Sequence, residues 1–241
     1  LSISFVVWLS ISVFLLGFWF WTIYILIRQR RAWKFYAEKK KLRYDSNGFY
    51  EGISLNGAVD GYKIAIFTSE HSELDARSQR RLSAIEINLH SSLDTYGGIA
   101  SGGMVKFVET LDMNKEFKPT LKGWDDSYIV RTSNIDYMRK YLSDDRVQKL
   151  IELMKEDKLW VVLIFADGQG LLRIDTPLAI DTPKKMDELV KKMIAVARIL
   201  ELKNGESSDL KRQITGSNEK QKTLNVDDDF LDDDIGLELE D

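Results

Sequence analysis

From Leu1 to Ile27 the chain carries no charged side chain, and this run constrains everything that follows it. As a helix rising 1.5 Å per residue it is about 40 Å long, enough to cross a hydrocarbon core of roughly 30 Å. Its only breaks are small or hydroxylated residues such as Ser2, Ser10, Gly17 and Thr22. Trp8 stands towards one end and Trp19, Trp21 and Tyr24 towards the other, as in two interfacial aromatic belts. A cleavable signal peptide would begin with basic residues, have a shorter apolar core and end at a small-residue site. This run has no basic start, and Arg28 follows it. An uncharged stretch of this length also rarely belongs to a soluble core. Residues 1–27 are therefore expected to form a transmembrane helix.

Charge decides the expected orientation. Arg28, Arg30, Arg31, Lys34, Lys39, Lys40, Lys41 and Arg43 stand against Glu38 alone, a net +7 directly after the span. Cations gather on the cytoplasmic side of spanning helices, which puts the N-terminus outside and the remainder in the cytoplasm. Each cation near an anionic leaflet contributes about 1 kcal/mol. The expected membrane-interface residues are Trp19, Trp21, Tyr24, Arg28, Arg30, Arg31 and Lys34, in a basic juxtamembrane helix over residues 28–43. The last fifteen residues hold nine acids and no cation, so with an overall charge of −4 the middle of the chain is nearly neutral. That argues against nucleic-acid binding, which would place basic surface on the fold. The chain starts with Leu, which leaves room for an upstream span.

Residues 44–203 read as one α+β domain. Asp45-Ser46-Asn47-Gly48 breaks the helical pattern. Phe49 to Leu55 and Tyr62 to Thr68 have strand character, with Asn56-Gly57 as the expected turn and Asp60-Gly61 as a second one. Ile85, Ile87 and Leu89 alternate as a half-buried strand does. Residues 91–103, rich in Ser, Gly and Asp, read as a loop, with Val105–Val108 and Tyr128–Arg131 as short strands. Ser143 with Asp144 and Asp145 marks a helix start for the apolar series Val147, Leu150, Ile151 and Met154. Leu159 to Ala166 and Leu171 to Asp175 form a hairpin turning on Asp167-Gly168. Thr182-Pro183 opens a last amphipathic helix lined by Met186, Leu189, Val190, Met193, Ile194, Ala197 and Leu200. Hairpins followed by helices, without a repeating strand–helix rhythm, imply an antiparallel sheet with packed helices. Beyond Asn204 the periodicity stops, and residues 204–241 are expected to be a disordered linker and acidic tail.

The stretch Trp124 to Asn134, then Met138 to Ser143, Val147 to Leu153 and the hairpin Leu159 to Ile174 follows a pattern. It resembles the C-terminal half of an uncharacterised class of bacterial membrane-anchored proteins, a domain of unknown function, over about residues 80–202. The resemblance implies a bacterial inner-membrane protein with an α+β cytoplasmic domain, in a class whose members often carry two spans. It implies no activity.

Candidate chemistry is sparse. The absence of cysteine removes disulfides, thiolate nucleophiles and Cys-based zinc sites. Glu70, His71, Glu73 and Asp75 have the residue types of a divalent-cation site, but their polar setting reads as a solvated loop. Gly97-Gly98 and Gly102-Gly103 lack the Lys-Ser/Thr that a phosphate loop places directly after its last glycine; Lys106 comes too late. Asp125 and Asp126, as strand neighbours, would point to opposite faces. Neither His71 nor His90 adjoins a nucleophile elbow. No catalytic residue, cofactor or metal site is expected.

The tail differs. From Asp227 to Asp241 its acids are interleaved with Phe230, Leu231, Ile235, Leu237 and Leu239, the pattern of a docking motif that folds against a partner. A linker over 204–226 would give it reach. Its charge could also engage the basic juxtamembrane segment, in a contact weakened by salt. The sequence thus points to a membrane-tethered adaptor or accessory subunit, its partners the lipid bilayer and a cytoplasmic protein. A sensory or small-molecule/nucleotide-binding module, with its ligand near the Gly-rich segment, is the alternative.

Overall fold

The computed structural model describes residues 2–46, 52–72, 79–210 and 212. One helix, α1 (Ile3–Lys40), runs unbroken from the uncharged stretch into the domain. Its first half exposes Phe5, Trp8, Phe14, Phe18 and Phe20 to the surroundings, while Ala32, Trp33, Tyr36 and Ala37 near its end are buried. Among the described residues it is the one helix long and apolar enough to cross a membrane. It ends in a Schellman motif. Lys41 takes the left-handed conformation, and the Leu42 N–H reaches the Ala37 carbonyl at 2.9 Å. Lys39 and Lys40 in the last turn complement the helix dipole. The helix therefore stops short of the expected residue 43, and β1 (Arg43–Ser46) begins where a break was expected.

Eight further strands complete one sheet: β2 (Ile53–Val59), β3 (Tyr62–Ser72), β4 (Gln79–Leu89), β5 (Gly97–Ala100), β6 (Lys115–Glu116), β7 (Ile129–Thr132), β8 (Trp160–Ala166) and β9 (Gln169–Thr176). Their order is β1-β2-β3-β4-β9-β8-β5-β7-β6, and every pairing is antiparallel. The β8–β9 hairpin, the most apolar in the chain, is inserted at the centre and joins an N-terminal meander to a second set of strands. Asp167 and Gly168 turn it with φ of 50° and 71°.

Helices cover one face. They are α3 (Ile135–Tyr141), α4 (Asp144–Met154), α5 (Pro183–Leu200) and the end of α1. Under them lie Leu55, Ile64, Ile66, Ile85, Ile87, Val161, Leu163, Phe165, Leu172 and Ile174, the alternate residues of successive strands. The N-cap of α5 forms as expected, with Pro183 in the first turn and the Thr182 hydroxyl accepting from Lys185 N–H. Among the described residues, the opposite face is covered at one end. There a short 3-10 turn (Gly102–Met104) and α2 (Val105–Thr110) enclose Ala100, Met104, Val108, Ile129 and Val162.

The α+β class with an antiparallel sheet holds, but several local expectations fail. Asn56-Gly57 lies inside β2, and the chain turns at Asp60-Gly61, with φ of 51° and 89°. A side chain at Gly57 would meet Leu42 at 2.6 Å, so this glycine serves close packing of the α1 exit. Of the strand expected over 49–55, residues 49–51 lie outside the described residues. The Gly97–Ala100 part of the expected loop is β5, fully buried between β7 and β8. Val105–Val108 is helical because the 3-10 turn before it leads straight into α2.

The packed body also exceeds 44–203 at both ends. On the C-terminal side, residues 206–210 form a helical turn that buries Leu210. Arg146, only 3 % exposed, binds both oxygens of Glu206 and donates to the carbonyls of Tyr141, Ile199 and Glu201. The first residues after 203 thus belong to the fold. Residues 213–241 lie outside the described residues.

Glu206 makes this staple sensitive to acid. The hydrogen bond from Arg146 holds its carboxyl below the usual glutamate range, against the opposing effect of partial burial. A carboxyl lowered on folding stabilises the fold above its unfolded value, about 4.3, and that contribution fades as pH falls through the lower folded value. Glu206→Gln should therefore be less stable than the parent near neutral pH and converge on it as the pH falls through the lowered folded value, in urea unfolding. A gap that persists unchanged into acid would show that the carboxylate charge does not matter.

Candidate functional site at the junction of helix and sheet

The sequence places aromatic and basic residues at the end of the uncharged run, and the structure shows what they touch. Trp19, Trp21 and Tyr24 are exposed, with the Trp21 and Tyr24 rings 6.3 Å apart. Arg31 and Lys34 also face outward. Arg28 and Arg30 instead turn towards the domain: Arg28 pairs with Asp181 at 3.4 Å, and Arg30 donates to the Ser46 hydroxyl at 3.3 Å. The seven expected interface residues therefore divide into an outward set and two that tie helix to sheet.

Residues beyond that set hold the junction. The Trp33 indole is fully buried and its N–H donates to the Ile180 carbonyl at 2.9 Å. Lys40 pairs with Asp187 of α5 at 3.2 Å, and Asp187 also holds Lys191 at 2.7 Å. These hydrogen bonds, first that from Lys191, keep the Asp187 carboxyl below the usual carboxylate range. Tyr36 packs alongside, its hydroxyl pushed up by burial and by the nearby Asp187 and Asp60. Ala32, Trp33, Tyr36 and Ala37 recur at helical spacing and are buried, whereas Phe35 among them is exposed. The acidic partners Asp181 and Asp187, far along the chain, had no local signal.

A cleft of about 590 Å³ opens beside this contact. Trp21, Tyr24, Ile25 and Arg28 of α1 form one wall. The other walls are Glu156, Asp157 and Leu159 before β8, Thr176 at the end of β9 with Leu178 to Asp181 after it, and Lys185, Glu188, Leu189 and Lys192 of α5. The lining is mostly apolar, and the charges sit in pairs: Asp181 with Lys185 at 2.8 Å, and Lys192 with Glu156.

The glycine segment offers no room for a ligand between Gly102 and Gly103. The Trp160 ring lies over both, and a Cβ at Gly103 would meet it at 2.6 Å. These glycines let an indole pack directly against backbone. Gly103→Ala should cost about 1–3 kcal/mol by overpacking, and Trp160→Leu should recover much of that loss. Equal losses in both backgrounds, measured by thermal unfolding, would count against the contact.

The other candidates also separate. Glu70 and His71 lie within β3, which extends past the expected strand end, and Glu73 and Asp75 lie outside the described residues. Among the described residues no three His, Cys, Asp or Glu side chains group as a metal site would require. The His90 ring packs on Tyr62 with centroids 4.6 Å apart, and its backbone N–H donates to Glu201. Asp125 and Asp126 sit in a turn before β7 rather than on a strand. Asp125 accepts from the Ser127 hydroxyl and N–H, which holds its carboxyl below the usual range, and Asp126 pairs with Lys118. Phe230, Leu231, Ile235, Leu237 and Leu239 lie outside the described residues.

On the uncovered part of the second sheet face, Arg173 joins Asp175, Glu86 and Ser69, with its guanidinium 5.2 Å from the Phe67 ring centroid. Asp175 is two residues along β9 from Arg173, Glu86 is its partner on β4, and Ser69 and Phe67 lie on β3, so the network stitches three strands. Only the alternation of the strands hinted at it.

No family model matches the chain, and no curated protein matches it. Among solved structures it is similar to the crystal structure of the mycobacterial trehalose monomycolate transport factor A, TtfA, at 12% identity and a TM-score of 0.43. The likeness covers 71% of this chain and 94% of that one. At that identity and score it bears on neither function nor partner.

Proposed function

We propose that the chain is a membrane-tethered adaptor or accessory subunit, without enzymatic activity, that docks a cytoplasmic protein at the bacterial inner membrane. The bacterial assignment follows the resemblance over residues 80–202. The N-terminus-out orientation follows the positive charge behind the uncharged run.

One observation carries the reading. The helix with the uncharged run is continuous with the helix that docks on the sheet, and Trp33, Arg28 and Lys40 fasten it to the β9–α5 connection and to α5. A domain fixed to its anchor in this way keeps one pose against a bilayer, which suits presenting a surface to a partner. The uncovered sheet face with Phe67 and Arg173 and the acidic-hydrophobic tail are the surfaces offered.

Two experiments test this. Carbonate extraction with reporter fusions at the C-terminus should keep the chain in the membrane and report a cytoplasmic end. Chemical cross-linking in native membranes should then capture partners that are lost when residues 226–241 are deleted. An unchanged partner set would remove the recruiting role of the tail, and a chain released by carbonate would remove the anchor.

A further inference from the structure

The cleft between α1 and the domain has its apolar wall on the very turns where the uncharged run ends. Trp21, Tyr24 and Ile25 lie within that run, and Arg28 is the first charge after it. If α1 crosses a bilayer, these residues stand at the headgroup level, where Trp and Tyr concentrate. The facing loop after β9 carries Leu178, half exposed, and Ala179, also exposed, between Pro177 and the buried Ile180. An exposed leucine beside a cleft of mostly apolar lining is a surface that water hydrates poorly. A cavity near 590 Å³ is of a size that holds a small ligand.

The rim narrows the ligand. It holds three cations, Arg28, Lys185 and Lys192, and four carboxylates, Glu156, Asp157, Asp181 and Glu188. Each rim cation already faces a carboxylate: Arg28 and Lys185 share Asp181, and Lys192 meets Glu156. Lys184, just outside the lining, pairs with Glu188 at 3.8 Å, so a purely anionic headgroup finds a balanced rim. A headgroup with one phosphate and one ammonium meets both signs: the phosphate near Arg28 and Lys185, the ammonium near Asp157 and Glu188. A primary ammonium also donates hydrogen bonds to carboxylates, as a quaternary one does not.

We propose that this cleft binds a membrane phospholipid of the phosphatidylethanolamine class, one acyl chain lying against Trp21, Ile25, Leu178 and Leu189 and the headgroup at the charged rim. This rests on α1 being a membrane span, as proposed above. The lipid would enter sideways from the leaflet in which the uncharged run ends and would bind the domain close to the bilayer surface.

The test uses the full chain in nanodiscs of phosphatidylcholine, with a minor component of either phosphatidylethanolamine or phosphatidylglycerol bearing a photoactivatable group on its acyl chain. Cross-linked peptides are mapped by mass spectrometry. The ethanolamine probe should label peptides containing Leu178, Ala179 and Leu189 as well as the span. Ala179→Trp, which fills the cleft from an exposed position, should reduce the domain labelling about tenfold and leave labelling of residues 5–20 unchanged. Leu178→Glu should do the same by a different route, so poor folding of one variant does not decide the matter. Glu188→Lys should shift the preference towards the glycerol probe. Labelling confined to the span, insensitive to both cleft variants, or stronger with the glycerol probe in the parent would overturn the proposal. Loss of labelling over residues 5–20 would instead sink the anchor on which it rests.

Discussion

Replacing Trp33 with Ala should lower the stability of the domain by about 3–5 kcal/mol, a large fraction of what a domain of this size holds in reserve. The indole is fully buried in the main core against the β9–α5 connection, so its loss leaves a large cavity there. It also orphans the Ile180 carbonyl, which accepts the indole N–H. For a body of this length each kcal/mol shifts the midpoint by about 2–4 °C, so thermal unfolding in detergent should fall by roughly 6–20 °C. Trp33→Phe should cost less, since it keeps much of the packing. Neither change touches the uncharged run, so retention in the membrane should be unaltered. A Trp33→Ala midpoint within about 2 °C of the parent would mean that helix and sheet are not one unit.

The second large effect belongs to Arg146. Truncating it to Ala removes hydrogen bonds to three carbonyls and leaves Glu206 without its main partner, an expected loss of about 3–5 kcal/mol. Arg146→Met combined with Glu206→Leu should recover a good part of this, because an apolar pair of similar volume avoids the desolvation that the ion pair overcomes. Urea unfolding of the two single variants and the double variant gives the coupling directly. Simple additivity would show that the pair is not a unit and that the chain after residue 203 contributes little.

The sequence displayed some of this and concealed the rest for identifiable reasons. The uncharged run, the β8–β9 hairpin and α5 were legible because each is set by local periodicity and turn chemistry. Asn56-Gly57 and Asp60-Gly61 are both good turn dipeptides, and what chose between them was Leu42, packed over Gly57 from just before the neighbouring strand. Gly97-Gly98 read as a loop for want of side chains. In the fold that want lets Met138, Val108 and Met113 close on a central strand. Glycines in a row thus meant dense packing rather than freedom, and no local pattern distinguishes the two.

The same limit applies to the junction. The aromatic and basic residues of α1 were visible, but Asp181, Asp187 and Leu178 lie about 150 residues further on. Nothing in their neighbourhood marks them as partners of the anchor. The cleft they enclose exists only once the β9–α5 connection folds back onto α1, so it could not be read in advance.

The central hairpin has a further consequence, for synthesis. β4 pairs with β3 on one side and with β9 on the other, and β9 lies about 80 residues later in the chain. At a ribosomal rate of 5–20 residues per second, the free edge of β4 stands open for roughly ten seconds. An unpaired edge is a template for wrong partners, so those seconds are when this chain is most exposed to aggregation. The uncharged run of α1 precedes β4 and will already have emerged by then; where it spans a membrane, as proposed, it holds the nascent chain away from free copies of itself.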